Sequence, residues 1–98
     1  MSLPLEFHPA ARDEINAAYA WYEQRQPGLG SAFLDEVQRV LAEITANPER
    51  YGFADGDIRE GLLSRFPYAV YYRVLADRVR VLAIYHTARN PSRWRSRT

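Results

Sequence analysis

His86-Thr87-Ala88-Arg89, taken together with Arg65, is the stretch whose chemistry is easiest to state. An imidazole can donate or accept a proton near neutral pH. A guanidinium can hold a phosphate while negative charge develops on it. His86, Arg89 and Arg65 are therefore candidate catalytic residues for cleaving a phosphodiester. The competing use is a strand-end histidine bonded to backbone, with Arg89 anchoring the chain that leaves the strand. No pair of carboxylates and no obvious second base stands beside His86. The chain has no P-loop, no Gly-rich dinucleotide turn and no metal-ligand spacing. Asp55 and Asp57 form a loop pair without matching ligands, and with no cysteine there is no thiolate site or disulfide. Neither a metal nor a cofactor is expected.

A second set is suited to contact rather than catalysis: Tyr71, Arg73, Arg80, Leu82 and Trp94. It follows from a β-hairpin centred on a two-residue loop, Ala76-Asp77. Counting outward pairs Leu75 with Arg78, Val74 with Val79, Arg73 with Arg80, Tyr72 with Val81, Tyr71 with Leu82, Val70 with Ala83 and Tyr68 with Tyr85. Opposed residues share a face. Tyr68, Val70, Tyr72, Val74, Val79, Val81, Ala83 and Tyr85 then make an apolar core face. Ala69, Tyr71, Arg73, Arg80, Leu82, Ile84 and His86 make the other. Two like charges opposed beside Tyr71, Leu82 and Ile84 are both basic and greasy, so this face should be open and should meet an acidic, partly apolar partner. Pro91 ends the strand, Trp94 is expected to fold back on the sheet edge, and the tail beyond it is expected to be mobile.

The elements that must hold these residues are legible in order. Leu3 to His8 alternates like a short strand. Pro9 suits the first turn of a helix reaching about Gln26, with Ala11, Ile15, Ala18, Tyr19 and Tyr22 on one stripe. Trp21 lies off that stripe, towards the hairpin or a partner. Just before the helix, His8 reads as a cap or surface residue. Pro27-Gly28-Leu29-Gly30 turns the chain, and Ser31 is the expected N-cap of a second helix to about Ala46. Phe33, Val37, Val40, Leu41 and Ile44 repeat the same spacing. Residues 47–57 read as a loop, and Ile58 to Ser64 as a third strand with Ile58, Glu60 and Leu62 on one face. The order is β-α-α-β-β-β. The expected fold is two-layer α+β, with a helical hairpin packed on one face of a mainly antiparallel sheet.

The 98 residues, 47% of them apolar, suit one compact domain over 1–98. No signal-like or membrane-spanning run is visible, so a cytoplasmic location is expected. Charge is divided. Residues 1–57 hold ten acids and four arginines, a balance of −6, whereas residues 58–98 hold two acids and nine arginines, a balance of +7. The second half should attract an anionic partner. All 13 basic residues are arginine, which suits bidentate recognition of carboxylate or phosphate, although genome base composition can produce the same bias.

Three segments in this order, AYAWYEQRQPGLGSAFLDEV, RFPYAVYYRV and VLAIYHTARNPSRW, resemble the RelE/ParE superfamily of toxins from type II toxin–antitoxin (plasmid stabilisation) systems. The similarity runs from Phe7 to Trp94. It implies the fold just described and neutralisation by a cognate antitoxin with an acidic, amphipathic C-terminal segment. RelE-like members cut ribosome-bound mRNA without a metal, using lysines, arginines and a Tyr or His. ParE-like members poison DNA gyrase and are not nucleases. This chain has no lysine and neither His nor Tyr after Trp94, while Arg89 falls near a catalytic-arginine position of the nuclease branch. HTARNP and PGLG look more like the ParE side. The resemblance therefore implies a ParE-like gyrase poison first, a RelE-like endonuclease second, and a non-toxic orphan binding module third.

Overall fold

The computed structural model describes residues 2–98, so only Met1 of the expected 1–98 span lies outside it. The elements are β1 (Leu5–Phe7), α1 (Pro9–Arg25), α2 (Leu29–Ala46), β2 (Phe53–Asp55), β3 (Ile58–Leu62), β4 (Tyr68–Val74), β5 (Val79–His86) and α3 (Ser92–Arg95). The sheet order is β1-β5-β4-β3-β2. β1 runs parallel to β5, and the other neighbours are antiparallel. The α1–α2 hairpin covers one face, which gives the expected two-layer α+β fold. β2 and α3 are additions: residues 47–57 contain a short edge strand, and the segment after Pro91 forms one helical turn.

Local chemistry explains the helix boundaries. His8 caps α1, its Nδ1 accepting from the Ala10 N–H at 3.0 Å, and Pro9 occupies the first turn, where no N–H is needed. α2 does not start at Ser31. Its N-cap is Gly28, held at φ 89°, a left-handed conformation that glycine adopts at little cost. The capping acceptor comes from α1, because the Glu23 carboxylate accepts from the N–H groups of Gly28 and Gly30, each at 2.9 Å. Gly30 also sits where the two helices touch. A Cβ there would lie 2.7 Å from the Tyr19 carbonyl oxygen. Glycine-to-alanine changes in a helix usually gain stability, by up to about 1 kcal/mol. Gly30→Ala should instead lose about 1–3 kcal/mol in a urea melt, because the helices must move apart.

The core joins Phe33, Val37, Val40 and Ile44 of α2 to Val70, Tyr72, Val79, Val81 and Ile84 of the hairpin. The hairpin follows the expected register from its loop to Tyr72/Val81 and then departs. Tyr71 pairs with Ala83, Val70 with Ile84, Ala69 with Tyr85 and Tyr68 with His86. A β-bulge at Leu82-Ala83 places one extra residue in β5, and one residue exchanges the faces of all that follow. Leu82 and Ala83 consequently both lie on the outer face, Ile84 turns into the core, and Tyr85 joins the outer cluster. This corrects the expected positions of Ala83, Ile84, Tyr85 and His86.

The outer face is not open either. Trp94 lies flat on Tyr71 with ring centroids 4.0 Å apart, and it covers the face rather than the sheet edge. The tail is pinned: Arg97 makes a bidentate ion pair with Glu14 at 3.0 and 2.8 Å and donates to the Leu82 carbonyl at 3.0 Å. No helix of the described residues is long and apolar enough to cross a membrane.

Candidate functional site

β1 ends at Phe7, so it accompanies β5 only as far as Val81. Beyond that point β5 has no strand neighbour on this side. α1 runs past the gap, and between them lies a groove of about 590 Å³. One wall is Glu14, Ala17, Trp21 and Tyr22 of α1. The other is Tyr68 with Ile84, Tyr85, His86 and, past the strand, Arg89. The site is thus largely aromatic, with a few converging polar groups, as small binding clefts tend to be.

Trp21 stands 51% exposed on the rim. The Arg25 guanidinium lies over its ring at 4.2 Å, and Tyr22 meets it edge-on at 5.1 Å. Glu14 projects from the helix to the strand edge, where it accepts from the Ile84 N–H at 3.1 Å. His86 packs edge-to-face on Tyr68 at 5.3 Å. Its Nδ1 accepts from the Ala88 N–H at 3.1 Å. That bond puts the proton of the neutral ring on Nε2, so the free nitrogen is a donor. Burial pushes the Tyr68 hydroxyl above the ordinary phenol value; nearby Arg89 opposes the shift and Glu14 adds to it. The phenol therefore stays protonated at neutral pH.

Of the candidate catalytic residues, His86 and Arg89 share this groove and Arg65 does not. Arg65 precedes the same end of β4 but turns away towards α2, its N–H donating to Glu36 at 3.3 Å and its guanidinium 5.8 Å from the centre of the Phe66 ring. Glu14 and Tyr68 were missed as groove residues. Their only sequence signals are a carboxylate on α1 and an aromatic at the start of β4.

The contact set lies on the opposite side of the sheet. Tyr71 and Trp94 are each 4% exposed and Leu82 is fully buried. Burial, with the Glu60 carboxylate beside it, pushes the Tyr71 hydroxyl well above the phenol range. The Arg73–Arg80 opposition is relieved from both sides. Arg73 bonds Asp57 at 3.0 Å, and Arg80 bonds Glu6 at 3.0 Å and the Thr98 carbonyl at 2.8 Å. Glu6 also takes Arg78 at 3.0 Å, and these arginines hold its carboxyl below the usual range. The result is a neutralised rim around a shallow depression of about 480 Å³ rather than a bare basic surface. Among the described residues, no group of His, Cys, Asp or Glu could hold a metal ion.

Residues 5–91 match the family model for the ParE toxin of type II toxin-antitoxin system, parDE. The chain belongs to the ParE toxin family. A solved chain of the chromosomal ParDE TA system from P. aeruginosa shares its fold, with a TM-score of 0.75 at 16% identity, over 87% of this chain and 96% of that one. No curated protein matches the chain. As the toxin of a type II system, this ParE-family chain has a cognate antitoxin for its partner.

Proposed function

We propose that this ParE-family toxin arrests growth by poisoning DNA gyrase, that it acts in the cytoplasm as one domain over 1–98 without a metal or cofactor, and that the acidic C-terminal segment of its antitoxin neutralises it. The groove between α1 and β5 is the surface offered to the target. The outer face with Arg73 and Arg80 is the surface offered to the antitoxin, whose acidic side chains take the places of Asp57 and Glu6 on these two arginines. The observation that carries a non-catalytic target is the His86 hydrogen bond. Its Nδ1 is occupied by the Ala88 N–H, which leaves no lone pair for a general base, and Arg65 stands apart from the pair His86 and Arg89. Ribosome-dependent mRNA cleavage is the second reading. It is favoured by the convergence of Glu14, Tyr68, His86 and Arg89 on one cleft.

The test is controlled expression in a bacterial host, with and without the cognate antitoxin, following growth, plasmid topology and mRNA integrity. Arrest with broken or relaxed plasmid and intact mRNA is expected, and the His86→Ala, Arg89→Ala double variant, which alters the groove wall, should weaken the DNA breakage while mRNA stays intact. Cleaved mRNA that disappears in the same variant would transfer the chain to the nuclease reading. Unimpaired growth with folded protein present would favour the non-toxic binding module.

A further inference from the structure

The C-terminal segment is held by few contacts, and one of them reaches through to the groove. α3 is a single turn without a capping side chain, and a helix of four residues has no stability of its own. Its position depends on what its neighbours provide. Trp94 stacks on Tyr71, and Arg73 donates to the Arg97 carbonyl at 3.4 Å. The Arg95–Asp55 pair is about half exposed on both sides and contributes little. Just past this turn Arg80 holds the Thr98 carbonyl at 2.8 Å, and the one tie that crosses to α1 is Arg97 to Glu14, with side chains only 14% and 19% exposed. Glu14 is at the same time a wall of the groove.

We infer that residues 92–97 are a latched strap over the outer sheet face, and that the Glu14–Arg97 pair is the latch through which an occupant of the groove opens that face. A guanidinium or ammonium group entering the groove competes with Arg97 for the Glu14 carboxylate. Release of Arg97 frees the Leu82 carbonyl and loosens Trp94. The apolar surface of Ile58, Tyr71, Leu82 and Ala83 then becomes accessible. The groove and the outer face are thereby coupled, so a partner at the first governs whether a partner can reach the second. Only the use of this coupling rests on the proposed function; the latch belongs to the isolated chain.

The experiment places Trp94 alone in a Trp21→Phe background and measures acrylamide quenching of its fluorescence. Arg97→Gln should raise the quenching constant about threefold with an unchanged far-UV circular dichroism spectrum, as expected for local opening. Arg97→Lys keeps the charge but loses the second nitrogen that makes the Glu14 pair bidentate, and it should show the same direction, to a smaller extent, if the glutamine variant does not fold. Arg95→Gln should change nothing. Ala17→Arg puts a cation into the groove one turn from Glu14 and should raise quenching about twofold, whereas Ala17→Met adds bulk without charge and should not. Folded Arg97 variants with Trp94 as protected as in the parent would overturn the latch. Equal quenching in Ala17→Arg and Ala17→Met would overturn control from the groove. Neither readout involves gyrase or toxicity, so failure of the gyrase reading leaves these results standing.

Discussion

Phe33→Ala should lower the stability of this toxin by about 3–5 kcal/mol, the usual range for an aromatic side chain removed from a packed core. Phe33 is fully buried. Its ring lies 5.4 Å from Tyr22, 5.4 Å from Phe66 and 5.2 Å from Tyr68, so the deletion removes the centre of an aromatic cluster. Against a total of about 5–15 kcal/mol for an ordinary domain, the loss is a large fraction. The urea midpoint should fall with an unchanged slope. Tyr22 and Tyr68 also line the groove, so its shape should change even where the variant remains folded. Phe33→Leu, which preserves most of the volume, should cost less than about 1.5 kcal/mol. A loss below about 1 kcal/mol for the alanine variant would show that the cluster does not carry the core.

The exchange Glu14→Arg with Arg97→Glu should fail to restore what either single change removes. Each single variant leaves a partly buried charge without its partner and should cost about 2–3 kcal/mol. An ion pair by itself would be rebuilt by the exchange. Here, however, the polarity is fixed by the strand edge: Glu14 meets the Ile84 N–H, and Arg97 meets the Leu82 carbonyl. After the exchange, donor would face donor and acceptor would face acceptor. The coupling energy of the double-mutant cycle should therefore be near zero or unfavourable. Recovery of most of the lost stability would mean that the charges matter and the strand edge does not.

The bulge beside this edge also marks where sequence reasoning stopped. Alternation in Val79-Arg80-Val81 and the short loop before it sufficed for the hairpin and its first three strand pairs, two of them facing the core. Nothing in Leu82-Ala83-Ile84, which are all apolar, signals an extra residue, so the faces were exchanged beyond that point. β2 escaped because Phe53, Ala54 and Asp55 are all exposed and show no alternation. The α2 cap escaped because its acceptor, Glu23, belongs to the preceding helix. At the groove, His86 and Arg89 were visible as residue types. Glu14 and Tyr68 joined them only through tertiary packing. The fold-back of Trp94 was legible from Pro91. The pinning of Arg97 was not, since its partner lies 83 residues away.

The parallel pairing of β1 with β5 has a consequence for synthesis. Leu5 is opposed by Val79, so the first strand made must wait for the last strand before it has a neighbour. α1 and α2 are local and can associate as soon as they emerge, but the apolar stripe of Phe33, Val37, Val40 and Ile44 then has no sheet to cover it. Long-range closure of this kind comes late and slowly compared with local contacts. The groove needs α1 and Arg89 in place together, so a nascent chain carries its helical hairpin through nearly the second half of translation before the groove exists.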